Sequence, residues 1–224
     1  MGKRNSYSYI GISAILLIFG IIFVPKIIDR FDRGVVDDIR SDANRGRELV
    51  VHKEIPDFQF TNQYGKTITN ADFDDRVHVV EFFFTTCPSI CPVMNKNMQI
   101  LDRAFGKNDD FGILSITIDP ETDTQEVLKE YADQHDVQSK HWHFVRGDKE
   151  TTYELSNKSF NLFAKENPDV NGGFEHSGMF ALFDKQGRIR SRTDNQGNPI
   201  LYYDGLSPLG IEMLKEDIQI LLAE

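Results

Sequence analysis

The two cysteines of the chain, Cys87 and Cys91, sit four positions apart in the stretch FFFTTCPSICPVM, residues 82–94. In a helix, side chains at that spacing share a face with Cβ atoms about 5–6 Å apart. Two such sulfurs could grip one metal ion, or close a disulfide with modest adjustment. Two flanking prolines modify the picture. Pro92 disfavours a helical Cys91, so the regular helix is expected to begin at Pro92, with the thiols on the turn leading into it. There the unpaired N–H groups and the helix dipole lower thiol pKa values, which favours both redox exchange and metal binding near neutral pH. A pair of inert core thiols is the bland alternative. It is disfavoured because the prolines and the apolar run before Cys87 place the pair on a loop, where chemistry collects.

Two thiolates are an incomplete metal site. Soft sulfur suits Cu(I), whereas imidazole suits Cu(II) and zinc, so an added histidine would let one site hold copper in either oxidation state. Six histidines are available. His52 lies in a charged linker, His78 opens a strand, and His135 ends a helix where a cation suits the dipole. His141 and His143 flank Trp142 and share one face of a short strand, a weak His-x-His pattern. His176 differs. It follows two glycines in GGFEHSGMFALFD and precedes a strand, on a loop that faces the cysteine pair in a thioredoxin-like topology. Met94 and Met98 offer thioethers, but at helical spacing beside a core strand they belong to packing.

These residues need elements to position them. DFQFTNQYGKTIT alternates around Tyr64 and Gly65 as a hairpin. VHVVEFFF, residues 77–84, is nearly continuous in apolar residues, as in a strand buried on both faces. A helix should run from the cysteines to about Phe105, and FGILSITID reads as a second buried strand ending at Asp119. Thr124 caps a helix through His135, with Val127, Leu128 and Tyr131 at helical spacing. HWHFV is a third strand, TTYELSNKSFNLF is partly helical, MFALFD and RIRSR form a hairpin about Gln186 and Gly187, and Pro208 opens a final amphipathic helix. Strands alternating with helices and ending in a hairpin specify an α/β fold. The expectation is a thioredoxin-like domain, a central mixed sheet flanked by helices with an N-terminal hairpin, and one N-terminal transmembrane helix.

That helix is the uncharged run from Tyr9 to Val24, extended by Ile27 and Ile28 if Lys26 snorkels, which approaches the roughly 20 residues a bilayer requires. No small-x-small cleavage site follows it, so it reads as an anchor and not as a signal peptide. Basic residues flank both ends, so charge alone does not orient it. The expected organisation is a cytoplasmic tail and anchor over 1–28, a charged linker over 29–54, and one domain over 55–224. The net charge of -10 argues against nucleic acid, whose phosphates would be repelled.

FFFTTCPSICPVM, SITIDPETDTQEVLKEYA and EHSGMFALFDKQGRI together resemble the Sco/SenC family, membrane-anchored copper chaperones that assist assembly of the CuA centre of cytochrome c oxidase. The resemblance covers about Ile55 to Leu222. It implies that Cys87, Cys91 and His176 are copper ligands for Cu(I) or Cu(II), with Asp119 an acidic turn residue near the site. It also implies that the domain lies outside the cytoplasm, and with the anchor beginning near Tyr9 this points to a single-pass protein of a bacterial cytoplasmic membrane facing the periplasm. The implied partner is the copper-bearing subunit of cytochrome c oxidase or another periplasmic copper protein. The same cysteines serve an alternative role, that of a thiol-disulfide oxidoreductase that reduces the acceptor's cysteines before metallation. A peroxiredoxin is disfavoured because Phe84 stands where its threonine, three residues before the reactive cysteine, is expected.

Overall fold

A computed structural model of the chain describes Phe19 and residues 48–224 apart from residue 171. Apart from Phe19, the expected anchor over 9–28 and residues 29–47 of the expected linker lie outside the described residues. Among the described residues no helix is long and apolar enough to cross a membrane.

The compact unit runs from Glu48 to Glu224. Its centre is β4 (Val77–Phe83), parallel to β5 (Phe111–Thr117), which is parallel in turn to β6 (Trp142–Arg146). Every residue of β4 and β5 is buried, as the unbroken apolar runs require of strands covered on both faces. Antiparallel strands extend the sheet on both sides. Beyond β6 lies the hairpin of β2 (Gln59–Asn62) and β3 (Thr67–Thr69), turned at Gly65 with φ of 76°. Beyond β4 lie β9 (Met179–Phe183) and β10 (Arg188–Ser191), with β11 (Tyr203–Asp204) also paired to β9. A mixed sheet flanked by helices is therefore present, in the order β1 (Val50–Glu54), β10, β9, β4, β5, β6, β2, β3.

The outermost strand, β1 (Val50–Glu54), pairs with β10 and falls inside the segment expected to be linker. Through this pairing the sheet takes in residues ahead of Ile55. VVHKE is too short and too polar to announce a strand, and β10 supplies the edge that recruits it.

Among the described residues four α-helices cover the sheet. In α1 (Cys91–Phe105), Met94, Met98, Leu101 and Phe105 face the core, the i, i+4, i+7 stripe of an amphipathic helix. α2 (Gln125–Gln134) begins at Thr124, whose side chain accepts from the Val127 N–H. α3 (Lys149–Glu154) continues as a π-helical turn, Leu155–Phe160, and stops at Asn161 in the left-handed conformation, φ 53°. α4 (Pro208–Ala223) is capped by Ser207. Successive residues of β4 face opposite ways: Phe83 stacks on Tyr131 of α2, whereas Phe82 meets Phe160 edge-on from the other side.

One element stands off the main sheet. β7 (Ala164–Glu166) and β8 (Phe174–His176) pair only with each other. The stretch expected as a turn-rich loop is thus a short ribbon with His176 as its last residue. Asn157 holds its base, its amide bonding both the C=O and the N–H of Ala164.

Candidate metal centre

The cysteine loop is built by the end of β4 and the start of α1. Ile90 is the N-cap of α1 and Cys91 its first residue. The helix begins one residue before the expected Pro92, because a proline in the first helical turn removes only an N–H that would lack an intrahelical partner anyway. Cys87 sits just ahead of the helix, 8% exposed, and Cys91 is 1% exposed. Both are free thiols.

His176 reaches them from the ribbon. Its Nε2 lies 3.1 Å from Cys91 Sγ and 4.0 Å from Cys87 Sγ, and the three potential ligand atoms lie within 4.8 Å of one another. The opposite ring nitrogen fixes the tautomer. Nδ1 is 3.1 Å from the Ser177 carbonyl oxygen, which can only accept, so Nδ1 carries the proton and Nε2 presents its lone pair to the sulfurs. The ring also stands edge-on to Phe84, at 5.7 Å and 78°.

A second contact holds the ribbon over the loop. A Cβ built on Gly172, whose φ is +95°, would come within 2.8 Å of Pro88 Cδ and 3.2 Å of the Phe84 ring. The ribbon tip therefore rests directly on the cysteine loop, and glycine is the residue that allows it.

The two thiols are electrostatically unequal. The hydrogen bond from Cys91 holds Cys87 well below the ordinary thiol range, aided by the backbone N–H groups of Cys91 and Ser89, and this outweighs burial. The same bond and its own deep burial push Cys91 up. Cys87 is thus the more readily ionised thiol of the pair. A first-row metal with bonds of about 2.3 Å to sulfur and 2.0 Å to imidazole nitrogen needs donors separated by roughly 3.5–4 Å. The present triangle accommodates that with small side-chain rotations.

A carboxylate that the sequence reading did not single out organises the loop. Asp119 turns its side chain into its own turn, accepting from the Thr122 N–H at 3.4 Å. Asp123, wholly buried, instead accepts from the N–H of Thr85 at 3.1 Å and from the hydroxyls of Thr85 and Thr117. It thereby ties the residues just before Cys87 to the turn between β5 and α2. Burial pushes its carboxyl up against these hydrogen bonds. The sequence signal for this clamp was faint, being only a threonine two residues before the first cysteine and a third acid in the turn.

The other histidines are elsewhere. His52 bonds Ser191 Oγ at 2.9 Å, His78 is buried between Phe73 and Phe183, and His135 bonds the Tyr131 carbonyl at the end of α2. His141 and His143 line a separate cleft. Met94 and Met98 are fully buried in the core.

Comparison with known proteins agrees with this architecture. The SCO1 protein homolog of Bacillus subtilis (strain 168) is 30% identical over 138 residues, spanning 61% of this chain and 71% of that protein. A SCO1/SenC family lipoprotein from Bacillus anthracis str. Ames superposes with a TM-score of 0.68 at 28% identity, covering 80% of this chain and 99% of that one. BsSco, described as a Sco-family cytochrome c oxidase assembly protein with a disulfide switch, superposes at 0.63 with 25% identity over 78% and 96% of the two chains. Copper-bound ScoI of Bradyrhizobium japonicum shares the fold, with a TM-score of 0.58 and 24% identity over 75% and 99%. The profile described as SCO1/SenC matches residues 48–208, most of the chain, and the chain therefore belongs to the SCO1/SenC family.

Proposed function

We propose that this protein binds copper through Cys87, Cys91 and His176 and passes it to an acceptor by ligand exchange, the acceptor being the CuA-bearing subunit of cytochrome c oxidase. One observation carries this reading: an imidazole lone pair from a ribbon late in the chain converges on two thiols at the head of α1. Two soft sulfurs and one borderline nitrogen are a donor set for copper in both oxidation states. Family membership and the copper-bound relative support the metal; the description of BsSco supports the acceptor. The segment 9–28 anchors the domain to a bacterial cytoplasmic membrane, with the domain on the periplasmic side.

The transfer is an exchange of bonds with no net redox change. Each donor of the acceptor adds to the ion as one of the three ligands leaves, and the displaced thiolate takes a proton from solvent. His176 is the ligand best placed to leave first. It is partly exposed and sits on a ribbon paired only with itself, whereas Cys91 is built into a helix packed in the core.

The lowered Cys87 thiol favours a second reading, a thiol-disulfide oxidoreductase acting on the acceptor's cysteines, because a stabilised thiolate is also the attacking form in disulfide exchange. The test separates the two. The reduced full-length chain, its Cys87→Ser and Cys91→Ser variants and the chain oxidised to a disulfide are compared for copper content and for exchange with a model disulfide. Stoichiometric copper in the reduced wild type alone, with slow exchange, supports the chaperone. Rapid exchange with no copper retained defeats it.

A further inference from the structure

A second site follows from the hairpin at the far side of the sheet. Asn62 ends β2, and its Oδ1 accepts the backbone N–H groups of Tyr64 at 3.0 Å and Lys66 at 2.9 Å, closing the turn. Those two donors identify the oxygen end of the amide, so the NH2 end must face His143 Nδ1, 3.3 Å away. An amide nitrogen only donates, so His143 Nδ1 is the acceptor and its proton is on Nε2. The turn thus sets the tautomer of a histidine 81 positions away, leaving Nε2 with the N–H.

That N–H belongs to a residue lining a cleft of about 400 Å³, together with His141, Lys66, Arg76, Lys140 and Asp72. The volume lies in the usual range of small-ligand pockets, about 300–1,000 Å³. Its charge runs against that of the molecule: three cations and one lining carboxylate, in a chain of net charge -10. Arg76 is the most telling. Its Nε donates to the Asp109 carbonyl at 2.8 Å and one terminal nitrogen to the Asp72 carbonyl at 2.7 Å. Neutral carbonyls hold the guanidinium in place without cancelling its charge, and among the described residues no carboxylate pairs with it. Lys66 and Lys140 do have partners, Asp72 at 2.6 Å and Asp109 at 2.8 Å, but both lysines are more than half exposed, and such surface pairs yield readily to a better acceptor. Burial, with Lys66 adding, holds the His143 imidazole down at about 4, so the ring stays a neutral donor near pH 7.

We infer that this cleft is a binding site for the phosphate group of a small ligand, held by Arg76, His143 Nε2–H, Lys66 and Lys140. A fixed guanidinium, an imidazole N–H and two ammonium groups on residues lining one cleft match the several oxygens of a tetrahedral oxyanion. A cation would meet like charge there, and an apolar ligand would bury those donors unpaired. The site is independent of the metal centre. Arg76 and His141 directly precede β4 and β6, whereas Cys87 follows the other end of β4, and a seven-residue strand spans roughly 20 Å.

The same chemistry is offered by free phosphate and by a lipid headgroup. The full-length chain with 15N-labelled histidine is reconstituted in bilayers of phosphatidylglycerol or of an uncharged glycolipid, and inorganic phosphate is titrated while the His143 resonances are followed. In glycolipid bilayers they shift and saturate with phosphate, at constant ionic strength set with chloride. In phosphatidylglycerol they are already shifted if a headgroup is the source, and unshifted until titration if free phosphate is. Arg76→Gln weakens phosphate about tenfold, the loss of one charge-assisted hydrogen bond. Lys140→Gln, on the surface and harmless to folding, weakens it about threefold, the share of an exposed charge. A Cys87→Ser, Cys91→Ser double variant binds phosphate as the wild type does, whatever the fate of the copper reading. Resonances that never saturate, shifts reproduced by chloride alone, or an unchanged affinity in both cleft variants would overturn the assignment.

Discussion

Gly172 provides a test of how the ribbon places His176, because its neighbour Gly173 is a built-in control. Both glycines have positive φ, +95° and +78°, yet a Cβ at Gly172 meets Pro88 Cδ at 2.8 Å whereas one at Gly173 meets nothing within 4 Å. Alanine at either position pays the left-handed backbone cost, about 1 kcal/mol. Only Gly172→Ala adds a collision. Carbon contacts settle at about 3.5–4.0 Å, so the 2.8 Å approach forces the ribbon tip outward by about 0.7 Å. His176 lies four residues further along, and metal–ligand bonds tolerate only about 0.2 Å of misplacement. The base of the ribbon, fixed by Asn157 and by the Ser177 N–H on the Phe163 carbonyl at 2.8 Å, absorbs part of the displacement. The expected outcome is a loss of Cu(II) affinity of about tenfold for Gly172→Ala, the low end of the range for disturbing a ligand's support. Gly173→Ala should change affinity less than twofold while losing the same roughly 1 kcal/mol of stability to backbone strain. Competition titration against a chelator measures the first and urea unfolding the second. Equal copper affinities for the two variants would show that the contact on Pro88 does not place the imidazole.

Three further outcomes follow. His176→Ala should weaken Cu(II) more than Cu(I), because two thiolates still satisfy the softer ion; equal losses in parallel titrations would refute the ligand role of the ring. Asp123→Asn turns an amide NH2 toward the Thr85 N–H or the threonine hydroxyls that now donate to the carboxylate, leaving a buried donor unpaired. It should cost about 2–3 kcal/mol in denaturant unfolding, and a change below 0.5 kcal/mol would deny the clamp. Glu81 is wholly buried in β4, bonded through one oxygen to Ser115 Oγ at 2.7 Å, and burial pushes its carboxyl up to about 7. The folded state then holds this proton more tightly than the unfolded state. Its contribution is complete below about pH 4.5 and lost as pH rises to about 7, a fall of about 3 kcal/mol. His78 and His143, held down at about 4 by burial, act with opposite sign as pH drops below 6.5. The difference between metal-free wild type and Glu81→Gln isolates the carboxyl. A difference that stays flat from pH 4.5 to 7 would show that Glu81 is ionised in the fold.

The amino-acid sequence by itself determined the buried strands, because VHVVEFFF and FGILSITID have no polar face to expose and must be covered on both sides. It determined the starts of α2 and α4 for equally local reasons: Thr124 stands where the first helical N–H groups need an acceptor, and Pro208 suits a first helical turn. It also supplied the candidate donors, since two cysteines four apart beside prolines are informative without any fold. The tertiary structure decided what depends on distant neighbours. VVHKE became a strand because β10 offered an edge. Cys91 became helical because its proline fell in the first turn, and Asp123 rather than Asp119 took hold of the cysteine loop because β5 and β4 run side by side. The tautomers of His143 and His176 were set by an amide and a carbonyl whose positions no local pattern encodes. Periodicity and capping act within a few residues and leave a trace in composition. Convergence of groups 85 or 89 positions apart is produced by packing, and only the folded chain contains it.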